Sequence, residues 1–113
     1  EVAYDETLDI LEKHPEITAF FCASDVMAIG VINAIHYIGK KVPDDFSIVG
    51  FDDIPAAKYV NGGLTTICQE PYVMGEKGGE ALVTMIEEQK EAAHIDIPYT
   101  LVERQTVKSI NNK

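Results

Sequence analysis

The spacing of apolar positions changes period along the chain, and each change marks a new element. Tyr4, Leu8 and Leu11 recur at helical spacing and predict a helix over residues 2–13. The His14-Pro15 step ends it, because a residue before proline avoids the helical region. Residues 17–23, from Ile17 to Ala23, form a short apolar run with the length of a buried strand. Ser24 then offers an N-cap and Asp25 a first-turn negative charge, so a helix opens over residues 25–38. Its predicted stripe is Met27, Val31, Ala34, Ile35 and Ile38, and Gly39 and Pro43 prevent it from continuing.

Residues 46–51 read as a second strand, which Asp52-Asp53 ends. Pro55 opens a short helix or turn reaching Tyr59, and Asn61-Gly62-Gly63 signals a loop. Residues 64–68 are a third strand, with Thr65, Thr66 and Ile67 β-branched. Pro71 suits the first turn of a helix running to about residue 88, with Val73, Ala81, Leu82, Met85 and Ile86 on its apolar side. Gly75, Gly78 and Gly79 each weaken that helix by about 1 kcal/mol relative to Ala, which predicts close packing of another backbone against them. Residues 89–94 read as a polar loop, and residues 95–98 and 99–106 as terminal strands, with Pro98 placing the first on an edge. The tail from Ser109 onward is expected to fray. Strands alternating with helices imply βαβ units, hence a three-layer α/β/α fold with a mainly parallel sheet and helices on both faces.

A length of 113 residues suits one domain. The net charge of −10, from 19 acidic and 9 basic residues, argues against direct contact with nucleic acid, whose phosphates require clustered Lys and Arg. Lys40-Lys41 is the only adjacent basic pair. Cys22 and Cys68 lie far apart in strand-like stretches and read as free, buried thiols of a reducing compartment, which implies a cytoplasmic protein. No His or Cys spacing fits a metal, no cofactor motif is present, and no run approaches the length of a membrane span. The chain begins with Glu rather than Met, as expected for the cut edge of a longer protein.

In open parallel sheets, ligands bind beyond the carboxyl ends of the strands. Three such ends carry polar residues here: Ser24-Asp25, Asp52-Asp53 and Gln69-Glu70. Carboxylate and amide groups suit the hydroxyls of a sugar, because they accept, or both accept and donate, hydrogen bonds. Ser24 and Asp25 also suit a helix terminus, and Asp53 also suits solvent, so Asp52, directly after an apolar strand, is the leading ligand candidate. Catalysis finds no support. His36 falls inside the second helix, His14 and His94 lie in connections, and no Gly-x-Ser-x-Gly or phosphate-binding glycine pattern occurs.

Four blocks in order resemble the LacI/GalR family of bacterial transcription regulators. They are residues 19–30 around Ser24-Asp25, residues 42–53 from Val42-Pro43 to Gly50-Phe51-Asp52-Asp53, residues 64–75 from Leu64-Thr65-Thr66 to Gly75, and residues 97–106 around Leu101-Val102-Glu103-Arg104. Together they span nearly the whole chain. The resemblance implies a periplasmic binding protein-like type I fold, with residues 1–113 forming the C-terminal lobe of a two-lobed sensor. It implies that the effector, a sugar or similar small molecule, binds between the lobes through Ser24, Asp52 and Gln69. It implies a homodimer whose face includes Ile29, Tyr59 and Val60, and DNA contact only through an N-terminal helix-turn-helix headpiece outside this chain. Ser24 stands where the family more often has Asn, and Asn61-Gly62-Gly63 replaces a proline-containing approach to the third strand. A periplasmic sugar-binding protein of a transporter shares the fold and is the alternative. An α/β enzyme is the third reading, with no nucleophile-base pair behind it.

Overall fold

The computed structural model describes residues 1–89, 91 and 94–110. The elements run α1 (Val2–Lys13), β1 (Ala19–Phe21), α2 (Asp25–Tyr37), β2 (Ser47–Phe51), two short 3-10 helices (Pro55–Lys58 and Val60–Gly62), β3 (Thr65–Cys68), α3 (Pro71–Glu88) and β4 (Thr100–Val102). The strands lie in the order β1-β2-β3-β4. β1 and β3 both run parallel to β2, in the registers Phe21 opposite Val49 and Phe51 opposite Ile67. This is the mainly parallel α/β arrangement that the alternating pattern predicts.

The chain divides into two compact units, Glu1–Cys68 with Leu101–Lys113, and Gln69–Thr100. The core belongs to the first. Ala28, Val31, Ile32 and Ile35 of α2 pack with Cys22, Val42, Phe46, Ile48, Ala57 and Leu64. Alternation along β2 turns Ile48 and Gly50 inward and leaves Ser47, Val49 and Phe51 half-buried. On α2, Ala28, Val31, Ile32 and Ile35 are buried at the full i, i+3, i+4, i+7 spacing, and Ala34 is buried beside them, so Val31, Ala34 and Ile35 of the predicted stripe face inward. The predicted stripe is displaced at its ends: Met27 and Ile38 are exposed, because they lie in the first turn and at the C-cap, beyond the stretch that faces β2.

α1 packs on α2 through a close approach at Gly30, where a Cβ would stand 3.2 Å from Ala3 Cβ and 3.3 Å from Tyr4 N. Thr106 helps to stitch the tail of the first unit to the sheet. Thr106 Oγ1 donates to Ile48 O at 2.7 Å and accepts from Thr65 N at 2.9 Å, while Ile48 N donates to Thr106 O at 2.8 Å. A buried threonine with both hydroxyl functions satisfied costs little and ties three chain segments together.

In the second unit α3 begins at Pro71, as the proline predicts, and no residue of it is buried. Leu82, Val83 and Ile86 are exposed. The expectation of backbone packing at Gly75, Gly78 and Gly79 is not met: among the described residues no atom lies within 4 Å of where their Cβ atoms would stand. Residues 95–98 form no strand, and the terminal strand is confined to Thr100–Val102, because Pro98 removes a ladder donor beside the short run. Of the polar loop and the tail, residues 90, 92, 93 and 111–113 lie outside the described residues.

Ile35 is fully buried at the C-terminal end of the α2 stripe. Ile35→Ala is expected to cost about 2–5 kcal/mol of stability in urea unfolding, whereas exposed Asn33→Ala stays within about 0.5 kcal/mol.

Candidate functional site

The rim at the carboxyl ends of β1 and β2 is assembled by three hydrogen-bonding devices. First, β1 continues its parallel pairing past Phe21, because Cys22 N donates to Val49 O at 2.8 Å. Because β1 and β2 run parallel, Ser24 and Asp52, which follow them, leave the sheet at the same end. Second, Ser24 caps α2: its Oγ accepts from Met27 N at 3.2 Å, satisfying one of the helix's orphan donors. The cap uses the hydroxyl as an acceptor and leaves its proton to donate outward.

Third, Asp25 is fully buried in the first turn of α2. Its Oδ1 accepts from Thr66 Oγ1 of β3 at 2.6 Å, and its Oδ2 accepts from Ile54 N at 2.8 Å. The helix N-terminus adds favourable positive potential. Gly50 makes the space: a Cβ there would collide with Asp25 Oδ1. A glycine inside a strand is the sequence signal for such an approach, and it could have identified Asp25 as a buried partner rather than a solvated helix-end charge.

Asp52 and Asp53 form a turn with positive φ at both residues, 119° and 59°. A φ near +60° is one that Asp tolerates, whereas 119° lies in territory suited to glycine. The strain is therefore concentrated at Asp52. Before the turn, Asp52 N donates to Ile67 O at 2.8 Å, and after it Ile54 N is held by Asp25. Within it, Asp53 pairs with the Arg104 guanidinium at 2.9 Å, both side chains being largely buried. Arg104 also donates to Leu64 O at 3.0 Å, and its backbone N donates to Thr65 Oγ1 at 2.9 Å. This pairing contradicts the solvated reading of Asp53.

The structure thus separates the candidates. Asp52 is exposed, and no hydrogen bond or ion pair engages its carboxylate among the described residues. Ser24 shares its rim. Gln69 follows β3 directly and is half-buried, as the first residue of the second unit. Of the residues expected on a dimer face, Ile29 is half-buried, Tyr59 is 81% exposed, and Val60 packs against the core of this chain. Both cysteines are free thiols. Burial, and then the negative charge of Asp25, push the Cys22 thiol up from 9.0 to about 11. Among the described residues no group of three or more His, Cys, Asp or Glu gathers to hold a metal. No described helix is long and apolar enough to cross a membrane.

With this arrangement in view, comparison with known proteins assigns the family. Residues 1–107 match the periplasmic binding protein-like domain, and the chain belongs to that family. It is 40% identical over 107 residues to the ribose operon repressor of Halalkalibacterium halodurans, covering 94% of this chain and 32% of that protein. Among solved structures it resembles a LacI-family transcriptional regulatory protein from Corynebacterium glutamicum, with TM-score 0.78 and 36% identity, covering 93% of this chain and 41% of that one. It also resembles the Lac repressor dimer bound to operator and an anti-inducer, with TM-score 0.85 and 30% identity, covering 95% of this chain and 37% of that one. The chain spans about a third of the length of the curated relatives it matches.

The perturbed thiol has a consequence with a definite sign. Between pH 9 and about 11 the folded state keeps the Cys22 proton that the unfolded state loses. Stability is therefore fully present below pH 9 and declines as pH rises through that window. Unfolding free energy measured from pH 8 to 11 is expected to fall less steeply in Cys22→Ala than in the unsubstituted protein.

Proposed function

We propose that this chain is the effector-sensing part of a LacI/GalR-type transcription repressor, and that a small polar ligand, a sugar or sugar derivative, is recognised at the rim presented by Asp52 and Ser24, with Gln69 as a third contributor. The observation that supports this most strongly is Asp52 itself. A non-glycine residue at φ 119°, exposed and with no partner for its carboxylate among the described residues, gains nothing for stability. Strain of this kind persists where the displayed group has work to do. A carboxylate accepting from two adjacent hydroxyls, beside a hydroxyl free to donate, is the chemistry that recognises a sugar ring. The relatives favour the regulator over the transporter reading, since they are transcriptional regulators and repressors, one of them of a ribose operon.

Control of DNA binding follows from unequal affinity. The effector binds one conformational state of the sensor better than the other, and a difference of about 1–3 kcal/mol is enough to move the equilibrium. DNA itself is contacted elsewhere in the protein, since a net charge of −10 repels phosphate. The protein acts as a cytoplasmic homodimer, with Tyr59 offering the exposed contact area and Ile29 and Val60 supporting it.

Asp52→Gly tests the reading, because glycine relieves the strain and removes the carboxylate together. In the full-length protein this variant is expected to unfold about 1 kcal/mol less readily, strain relief outweighing the entropy of glycine, while losing the calorimetric binding of D-ribose, D-glucose, maltose or cellobiose seen without the substitution. Undiminished binding in Asp52→Gly would remove Asp52 from the site.

A further inference from the structure

We propose that Asp25 is a positioning residue for Asp52, holding the strained turn in the geometry that presents the Asp52 carboxylate. The inference rests on Asp52 being the effector ligand for its purpose, though not for its test.

Asp25 makes two acceptor bonds. Neither belongs to the strand ladder. Oδ2 accepts from Ile54 N, the first backbone donor after the Asp52-Asp53 turn, and Oδ1 accepts from the side-chain hydroxyl of Thr66. The β2–β3 pairing has its own register from Val49–Thr65 to Phe51–Ile67, and Thr106 reinforces its start. Asp25 therefore takes no part in the β2–β3 ladder, and the one backbone group it holds is at the exit of the turn. The turn needs holding, because it contains a residue at φ 119° that relaxes toward ordinary backbone angles unless it is pinned on both sides. The Asp52 N–Ile67 O bond pins one side and the Asp25–Ile54 bond pins the other, with a single residue, Asp53, between them.

The choice of side chain agrees. Burying a carboxylate is costly, and a helix N1 position is served equally well by an exposed acid. What a buried carboxylate adds is two acceptor oxygens pointing apart, able to hold a backbone N–H and a hydroxyl from two different segments at once. Gly50 is the second half of the device, since any side chain there would displace Asp25 Oδ1.

Asparagine can satisfy the same two partners: its carbonyl accepts from Ile54 N, and its amide donates to Thr66 Oγ1 in reversed polarity. Alanine can satisfy neither. The ¹³Cα and ¹³Cβ shifts of Asp52 and Asp53, read in the effector-free full-length protein, report the turn's φ directly. Methyl resonances of Ile32, Ile35 and Ile48 report the core. In Asp25→Ala both aspartates are expected to leave their left-handed shift values while the three isoleucines keep theirs, and in Asp25→Asn both aspartates are expected to stay in place. Should Asp25→Ala fail to fold, Gly50→Ala decides on the same resonances, because its Cβ displaces the Asp25 carboxylate: displacement of Asp52 and Asp53 supports the role. Aspartate shifts unchanged in Asp25→Ala, or in Gly50→Ala where that variant decides, overturn it, as does an Asp25→Asn variant displaced as far as Asp25→Ala. Because no effector is present, this outcome is independent of whether Asp52 proves to bind one.

Discussion

A carboxylate removed from water must be met by donors, and at Asp25 the donors come from two separate segments. Thr66 belongs to β3 and Ile54 to the connection after β2, while Asp25 itself opens α2 after β1. One side chain thus joins the segments that follow β1 and β2 to the body of β3. Parallel pairing by itself only aligns strands; it does not determine the path of the chain after it leaves the last ladder bond. Here that path is set by the buried acid, by the Asp53–Arg104 pair and by the Ser24 cap. The rim has a defined shape because its supports are internal, which leaves its displayed groups unengaged.

This division between supporting and displayed groups explains why two adjacent aspartates behave differently. Asp53 turns back to Arg104, a residue from the returning segment of the first unit, and is consumed in structure. Asp52 takes the unfavourable backbone angle and presents its carboxylate to solvent. Under the proposed function the pinned backbone would favour binding, because a preorganised acceptor loses less entropy than a mobile one. The second unit carries a different feature, a helix with its apolar residues in the open.

Much of this was legible in the pattern of residues. α1 and α3 begin and end where periodicity, Pro15 and Pro71 place them, and β2 and β3 fall within one residue of the predicted runs. The rim at the strand ends follows from the alternation of strands and helices alone. What the pattern could not give were contacts between residues distant in sequence. Arg104 lies 51 positions after Asp53, so nothing local marks it as the partner. The apolar run over residues 17–23 yields a strand of only three residues, because strand length is fixed by the neighbour's ladder and not by hydrophobicity. Glycines in α3 were read as packing sites because propensity makes them costly, yet propensity says nothing about what covers a helix. The backbone angle of Asp52 likewise has no signature in its neighbours; it emerges from the bonds on either side.

The central claim, that the displayed acid at the end of β2 receives the effector, is most directly tested by hydrogen exchange with mass spectrometry on the full-length protein, with and without the sugar that binds it. The account predicts that new protection concentrates in residues 50–54 and 23–27. Protection that appears only elsewhere, with these two segments exchanging as before, would contradict it.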